Sequence, residues 1–172
     1  TGKRIVFALA ALAAAGTAAS GSELRPDAAM VTGSVTSQPI GHYEFCQRYA
    51  SECAVRSKVG PAPTLTQHGW QVLNAVNTRV NTTVVAMTDQ DIYGKEEYWA
   101  YPVDAGDCED FVLEKRRQLL AKGFSAADLL ITVVRKPDGE GHAVLTVRTS
   151  EGDFILDNLS ADVKFWTDTP YT

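Results

Sequence analysis

The chain has 172 residues, 45% of them hydrophobic, and a formal net charge of −5. That length suits one domain with a real core and is short for two. The acidic balance, with no basic run anywhere, excludes the charged face that nucleic-acid binding needs.

Residues 1–20 read as a secretory signal peptide. Lys3 and Arg4 open it, an alanine-rich apolar run follows from Ile5 to Gly16, and small residues from Thr17 to Gly21 supply a processing region. The run is shorter than the roughly 20 apolar residues of a spanning helix. Export to the periplasm or beyond is the expectation. Residues 21–40 are small, polar and aperiodic, and read as a flexible N-terminal tail before a domain over 41–172. In that domain Cys46 and Cys53 lie close together. On one straight helix they would stand roughly 10 Å apart, too far to bond, so they either pair across a turn or sit buried on one face. In both cases Cys108 is left over.

Thr66 caps a helix through about Val80, with Trp70, Leu73, Val76, Asn77 and Val80 at spacings of three and four. The stretch from Thr88 to Gly106, rich in Asp, Gly, Tyr and Trp, reads as a long structured loop. A second helix is expected from Cys108 to about Lys122, closed by Gly123, with Phe111, Val112, Leu119 and Leu120 inward and Glu114, Arg116, Arg117 and Gln118 solvated. Three β-rich runs follow, Leu129–Arg135, His142–Thr149 and Asp153–Leu156, separated by Pro137-Asp138-Gly139 and Ser150-Glu151-Gly152 turns. The fold class is α+β, a helix packed on an antiparallel meander.

A cysteine nucleophile needs a thiolate, a base and a group to orient the base. Cys108 falls in the first turn of its helix, where free N–H groups and the helix dipole favour negative charge. If Arg148 pairs with Asp153 across the second turn, His142 lies opposite Leu159, which makes His142 and Asp157 diagonal neighbours on one face. Each residue alone has an ordinary reading: a small buried Cys, a surface His, a turn-forming Asp. In the order Cys on a helix, then His and Asp on adjacent strands, they match the papain-like arrangement. The remaining histidines, His42 and His68, have no ligand spacing, and no C-x-x-C is present.

The run Gly106-Asp107-Cys108-Glu109-Asp110-Phe111, with Lys115-Arg116 and Leu119 behind it, resembles the bacterial transglutaminase-like cysteine peptidases. His142-Ala143-Val144-Leu145, Leu156-Asp157-Asn158 and Trp166 extend the resemblance, as do the Val76-Asn77 and Val80-Asn81 pairs, over roughly residues 43–172. It implies a transglutaminase-like fold with Cys108, His142 and Asp157 as catalytic triad. The best-known relatives are periplasmic, calcium-dependent proteases that clip large biofilm adhesins. By that resemblance Asp107 and Glu109 are the expected calcium ligands, Asp110 next, with Glu97 and Asp104 as loop candidates. The residues also argue for a cation, because three carboxylates beside a thiol oppose its ionisation and suit the oxygen preference of calcium. The simpler role for Glu109 and Asp110 is to complement the helix N-terminus. The function implied is an exported cysteine endopeptidase acting on a surface or periplasmic protein, and the resemblance adds a regulatory membrane receptor as partner. The alternatives are acyl transfer from protein glutamine to an amine, and a non-catalytic, calcium-ordered binding module.

Overall fold

The computed structural model describes residues 28–31 and 33–172, so the expected signal peptide lies outside it. The first described residues are already docked. The Asp153 N–H donates to the Ala28 carbonyl at 2.7 Å, and the Asp153 carboxylate accepts the Met30 N–H at 2.8 Å. Residues 28–30 of the expected flexible tail are therefore tied to the sheet, because Asp153 offers the passing backbone one donor and one acceptor. Gly152 makes room for them: it sits at φ +127°, and a Cβ there would lie 2.5 Å from the Ala28 carbonyl oxygen.

Two short helices follow, α1 (Ile40–Arg48) and α2 (Ala50–Cys53), broken at Tyr49 with φ −124° and ψ 57°. The break turns the chain back, and Cys46 and Cys53 are bonded across it with Cα atoms 5.6 Å apart. Of the two arrangements left open by spacing, the turn is the one formed. Helix α3 (Gln67–Thr83) begins where the Thr66 hydroxyl accepts the Gly69 N–H, and it runs three residues past the expected end at Val80. It buries Leu73, Val76, Asn77 and Val80.

The segment expected as one loop contains structure of its own. Strand β1 (Val85–Ala86) leads into helix α4 (Asp89–Tyr93), capped by Thr88 and closed by Gly94 at φ +65°. Strand β2 (Ala105–Gly106) then pairs with β1 in parallel, Val85 with Ala105 and Ala86 with Gly106. This two-residue bridge sets the start of α4 beside the start of helix α5 (Cys108–Ala121). Helix α5 is covered on two sides. Phe111, Val112 and Leu119 join the α3 residues in the main core, while Leu113 meets Phe45 and Trp99 in a second cluster. Burial therefore extends further round the helix than its apolar pattern implies. Of the four residues expected to be solvated only Arg117 is fully exposed, and Lys115 is fully buried.

The sheet comprises β3 (Leu129–Arg135), β4 (Gly141–Thr149), β5 (Gly152–Leu156) and β6 (Lys164–Phe165), antiparallel and in that spatial order. Arg148 pairs with Asp153, the expected register. One face of β4 and β5, with Leu145, Val147 and Leu156, packs against α5 and α3. Alternation sends Val144 and Ile155 to the other face, where Met30, Trp166 and Tyr171 lie over them. After β6 the chain recrosses the sheet: Thr172 exchanges both backbone hydrogen bonds with Arg135 at the end of β3, at 2.8 and 3.1 Å. The architecture is α+β, with the Cys108-bearing helix α5 packed on an antiparallel sheet.

Candidate active site

Cys108 is the first residue of α5 and is partly exposed. Its sulfur receives the Ala143 N–H, so the helix start abuts the beginning of β4, next to His142. The His142 Nε2 lies 2.8 Å from Asp157 Oδ1, and both side chains are buried. Sequence reasoning anticipated this contact, because the β4–β5 register makes the two residues diagonal neighbours.

The backbone that carries Asp157 is fastened to α3. The Asn81 Nδ2 donates to the Asp157 carbonyl at 2.8 Å and to that of Ser160 at 3.0 Å, while Asn77 Nδ2 donates to Ser160 and Ala161. An amide side chain one turn further along the helix thus holds the same loop twice. Burial alone pushes the Asp157 carboxyl upward. Hydrogen bonds from His142, Tyr171 and the Leu159 N–H outweigh it and leave the group below the usual carboxylate value. Tyr171 was missed in the sequence, since nothing local marks a residue of an irregular terminal segment as a partner of Asp157.

On the other side of Cys108 the site is acidic. Carboxylate oxygens of Asp89, Asp107 and Glu109 lie within 4.8 Å of one another. Asp107 and Glu109 were expected there; Asp89 was not, and it arrives through the parallel bridge of β1 with β2. Asp110 is fully buried but elsewhere: its Oδ1 accepts the Ala100 N–H at 2.7 Å, and the carboxylate packs on Gly106, where a Cβ would come within 2.7 Å of it. Glu97 instead accepts the Trp99 indole N–H at 3.0 Å, and Asp104 is exposed. Asp107 does not cap its helix; its Oδ2 accepts the Asp89 N–H at 3.3 Å, and Asp89 in turn accepts the Tyr98 N–H.

These acids are under electrostatic load. Burial, then the Asp107 charge, raises Glu109 well above the carboxylate range. Burial also raises Asp110 to about 8, despite the Ala100 bond, with Asp107 and Asp89 adding to the rise. Burial, then the Glu109 charge, pushes the Cys108 thiol up, and the thiol donates to Glu109 Oε2 at 3.2 Å. Asp89 Oδ1, Asp107 Oδ1 and Asp110 Oδ2 are each buried without a hydrogen-bond partner. Orphaned carboxylate oxygens of this kind fit a hard, oxygen-seeking cation such as calcium.

Comparison with known proteins bears on the fold and the family. The chain superposes on calcium-bound Legionella pneumophila LapG with a TM-score of 0.53 and 24% identity, covering 79% of this chain and 75% of that one. The EGTA-treated form of the same protein matches with a TM-score of 0.53 and 25% identity, over 79% and 73%. No curated protein sequence matches the chain. The profile of the bacterial transglutaminase-like cysteine proteinases (BTLCP) matches residues 32–172. The chain belongs to that family and is a cysteine peptidase.

Proposed function

We propose that this peptidase is exported and cleaves a surface or periplasmic protein through an acyl-enzyme, with Cys108 as nucleophile, His142 as base and Asp157 as the orienting carboxylate. The observation that carries the reading is the 2.8 Å His142–Asp157 contact beside a sulfur held by the Ala143 N–H. His142 takes the Cys108 proton as the sulfur attacks the scissile carbonyl carbon. It then passes that proton to the leaving amine as the C–N bond breaks and a thioester forms. Water, deprotonated by His142, attacks the thioester and regenerates the thiol. The free N–H groups of the first turn of α5 would be the donors to the carbonyl oxygen as its charge develops.

Asp89, Asp107 and Glu109 would hold calcium, with Asp110 fixing the Ala100 backbone beside them. Bound there, the ion neutralises the carboxylates that otherwise keep the Cys108 thiol protonated. LapG is known in a calcium-bound form, which supports the same dependence here. The resemblance stated from sequence extends to an adhesin-like substrate and to control by a membrane receptor that sequesters the enzyme.

Alkylation of the purified protein by iodoacetamide, followed by mass spectrometry with calcium and with chelator, tests the reading. Cys108→Ala should abolish labelling at that position, and His142→Ala should slow it by about 100-fold or more. Chelation should slow the wild type. Equal rates in wild type and His142→Ala would make Cys108 an ordinary thiol and end the proposal.

A further inference from the structure

Asp157 carries more than the His142 bond. Its Oδ1 takes two donors, His142 Nε2 at 2.8 Å and the Leu159 N–H at 2.9 Å. Its Oδ2 takes the Tyr171 hydroxyl at 2.5 Å. The residue is 4% exposed, so solvent has little access to either oxygen. With donors on both oxygens the carboxylate cannot swing about its Cβ–Cγ bond, and Oδ1 stays directed at the imidazole.

Tyr171 is itself well held. Thr172, the next residue, is bonded through both backbone groups to Arg135. Arg135 and Val134 pair with Gly141 and His142 across the β3–β4 ladder. The anchor of Tyr171 is therefore the strand residue beside the partner of His142. The Tyr171 ring also stands 5.5 Å from the His142 ring, inclined at 54°. One side chain thus touches both members of the pair, as a hydrogen bond to one and a ring contact to the other.

We infer that Tyr171 is a positioning residue of this site, its hydroxyl fixing the Asp157 carboxylate and, through it, the orientation of His142. The inference rests on the triad reading above. It accounts for a tyrosine where a phenylalanine would fill the same space: Phe would leave a buried carboxylate oxygen without its donor.

The test is iodoacetamide alkylation of Cys108 at fixed calcium in a double-mutant cycle. Tyr171→Phe should slow alkylation about tenfold, the scale of one hydrogen bond to a charged group. Asp157→Ala should slow it further, and Tyr171→Phe should add nothing in that background, because its effect passes through Asp157. Unchanged thermal melting of Tyr171→Phe would separate this from a packing defect. A second measurement needs no change at Tyr171: a downfield, slowly exchanging tyrosine hydroxyl proton in the NMR spectrum of the wild type that vanishes in Asp157→Ala. If His142→Ala slows alkylation but Tyr171→Phe does not, or if the two effects add fully, the inference falls and the triad stands. If His142→Ala has no effect, both fall. Absence of the hydroxyl resonance from the wild type also overturns the inference.

Discussion

Cys108 stands between two buried carboxylate assemblies that are finished in different ways. On the β4–β5 side, Asp157 has donors on both oxygens and a buried cation, Lys115, near enough to interact with it. On the α4–α5 side, Asp89, Asp107 and Asp110 each leave one oxygen without a donor. The two oxygens of Asp157 are satisfied by the polypeptide alone, although the Lys115 Nζ near them has no hydrogen-bond partner; the acidic cluster leaves buried carboxylate oxygens that the polypeptide does not pair. One thiol is thereby exposed to a permanent influence and to a conditional one. Under the function proposed above, the constant half would align the base while the variable half would set when the thiol can ionise.

Lys115 gives the largest effect with which to probe the completed side. Burial lowers its pKa from the ordinary 10.5 to about 7, although Asp157 pulls it the other way. Between those two values the unfolded chain binds a proton that the folded chain does not, so stability rises with pH across that window. The penalty of burying the ammonium is fully present below pH 7 and fades as pH approaches 10.5. Urea unfolding of wild type and Lys115→Met should show the variant more stable by a few kcal/mol at neutral pH. The gap should close by up to about 1.4 kcal/mol per pH unit above it. A gap that does not change with pH would mean that Lys115 keeps its proton throughout, and that Asp157 sees a constant charge.

The conditional side is probed next by Asp89→Asn. Removing one of three clustered carboxylates should weaken calcium binding on the order of 10- to 100-fold by titration calorimetry, while Asp157→Ala leaves it unchanged. Equal calcium affinity in wild type and Asp89→Asn would dissolve the comparison, because the orphan oxygens would then have no ion to wait for. The smallest effect is expected from Asn81→Ala. It removes two hydrogen bonds to the loop behind Asp157 and should lower stability by about 1–2 kcal/mol in urea, with no change in calcium affinity.

The completed side was largely legible in the sequence, and the conditional side only in part. The β4–β5 register follows from turn length and alternation, so the His142–Asp157 contact could be reached from residue numbers. The start of α5 at Cys108 follows from an apolar pattern that opens after an aspartate and closes at Gly123. Asp89 was out of reach because it comes to Asp107 through a parallel bridge of only two residues per strand, too short to leave a pattern. Strand β6, also two residues long, escaped for the same reason. The Cys46–Cys53 pairing stayed open because the break at Tyr49 has neither Gly nor Pro to announce it. The burial of Lys115 left no sign in its own sequence, since it comes from a place on the α5 face beside Phe111 and near Asp157.

The turn between α1 and α2 has a consequence for how the chain sorts its own sulfurs. Cys46 and Cys53 are separated by seven positions, and a loop that short closes at little entropic cost compared with any loop reaching Cys108. During synthesis the pair also emerges well before the third cysteine. In an oxidising environment the two finish with each other early, and the thiol that arrives last finds no partner in its own chain. The local disulfide thus occupies the two sulfurs that could otherwise capture Cys108.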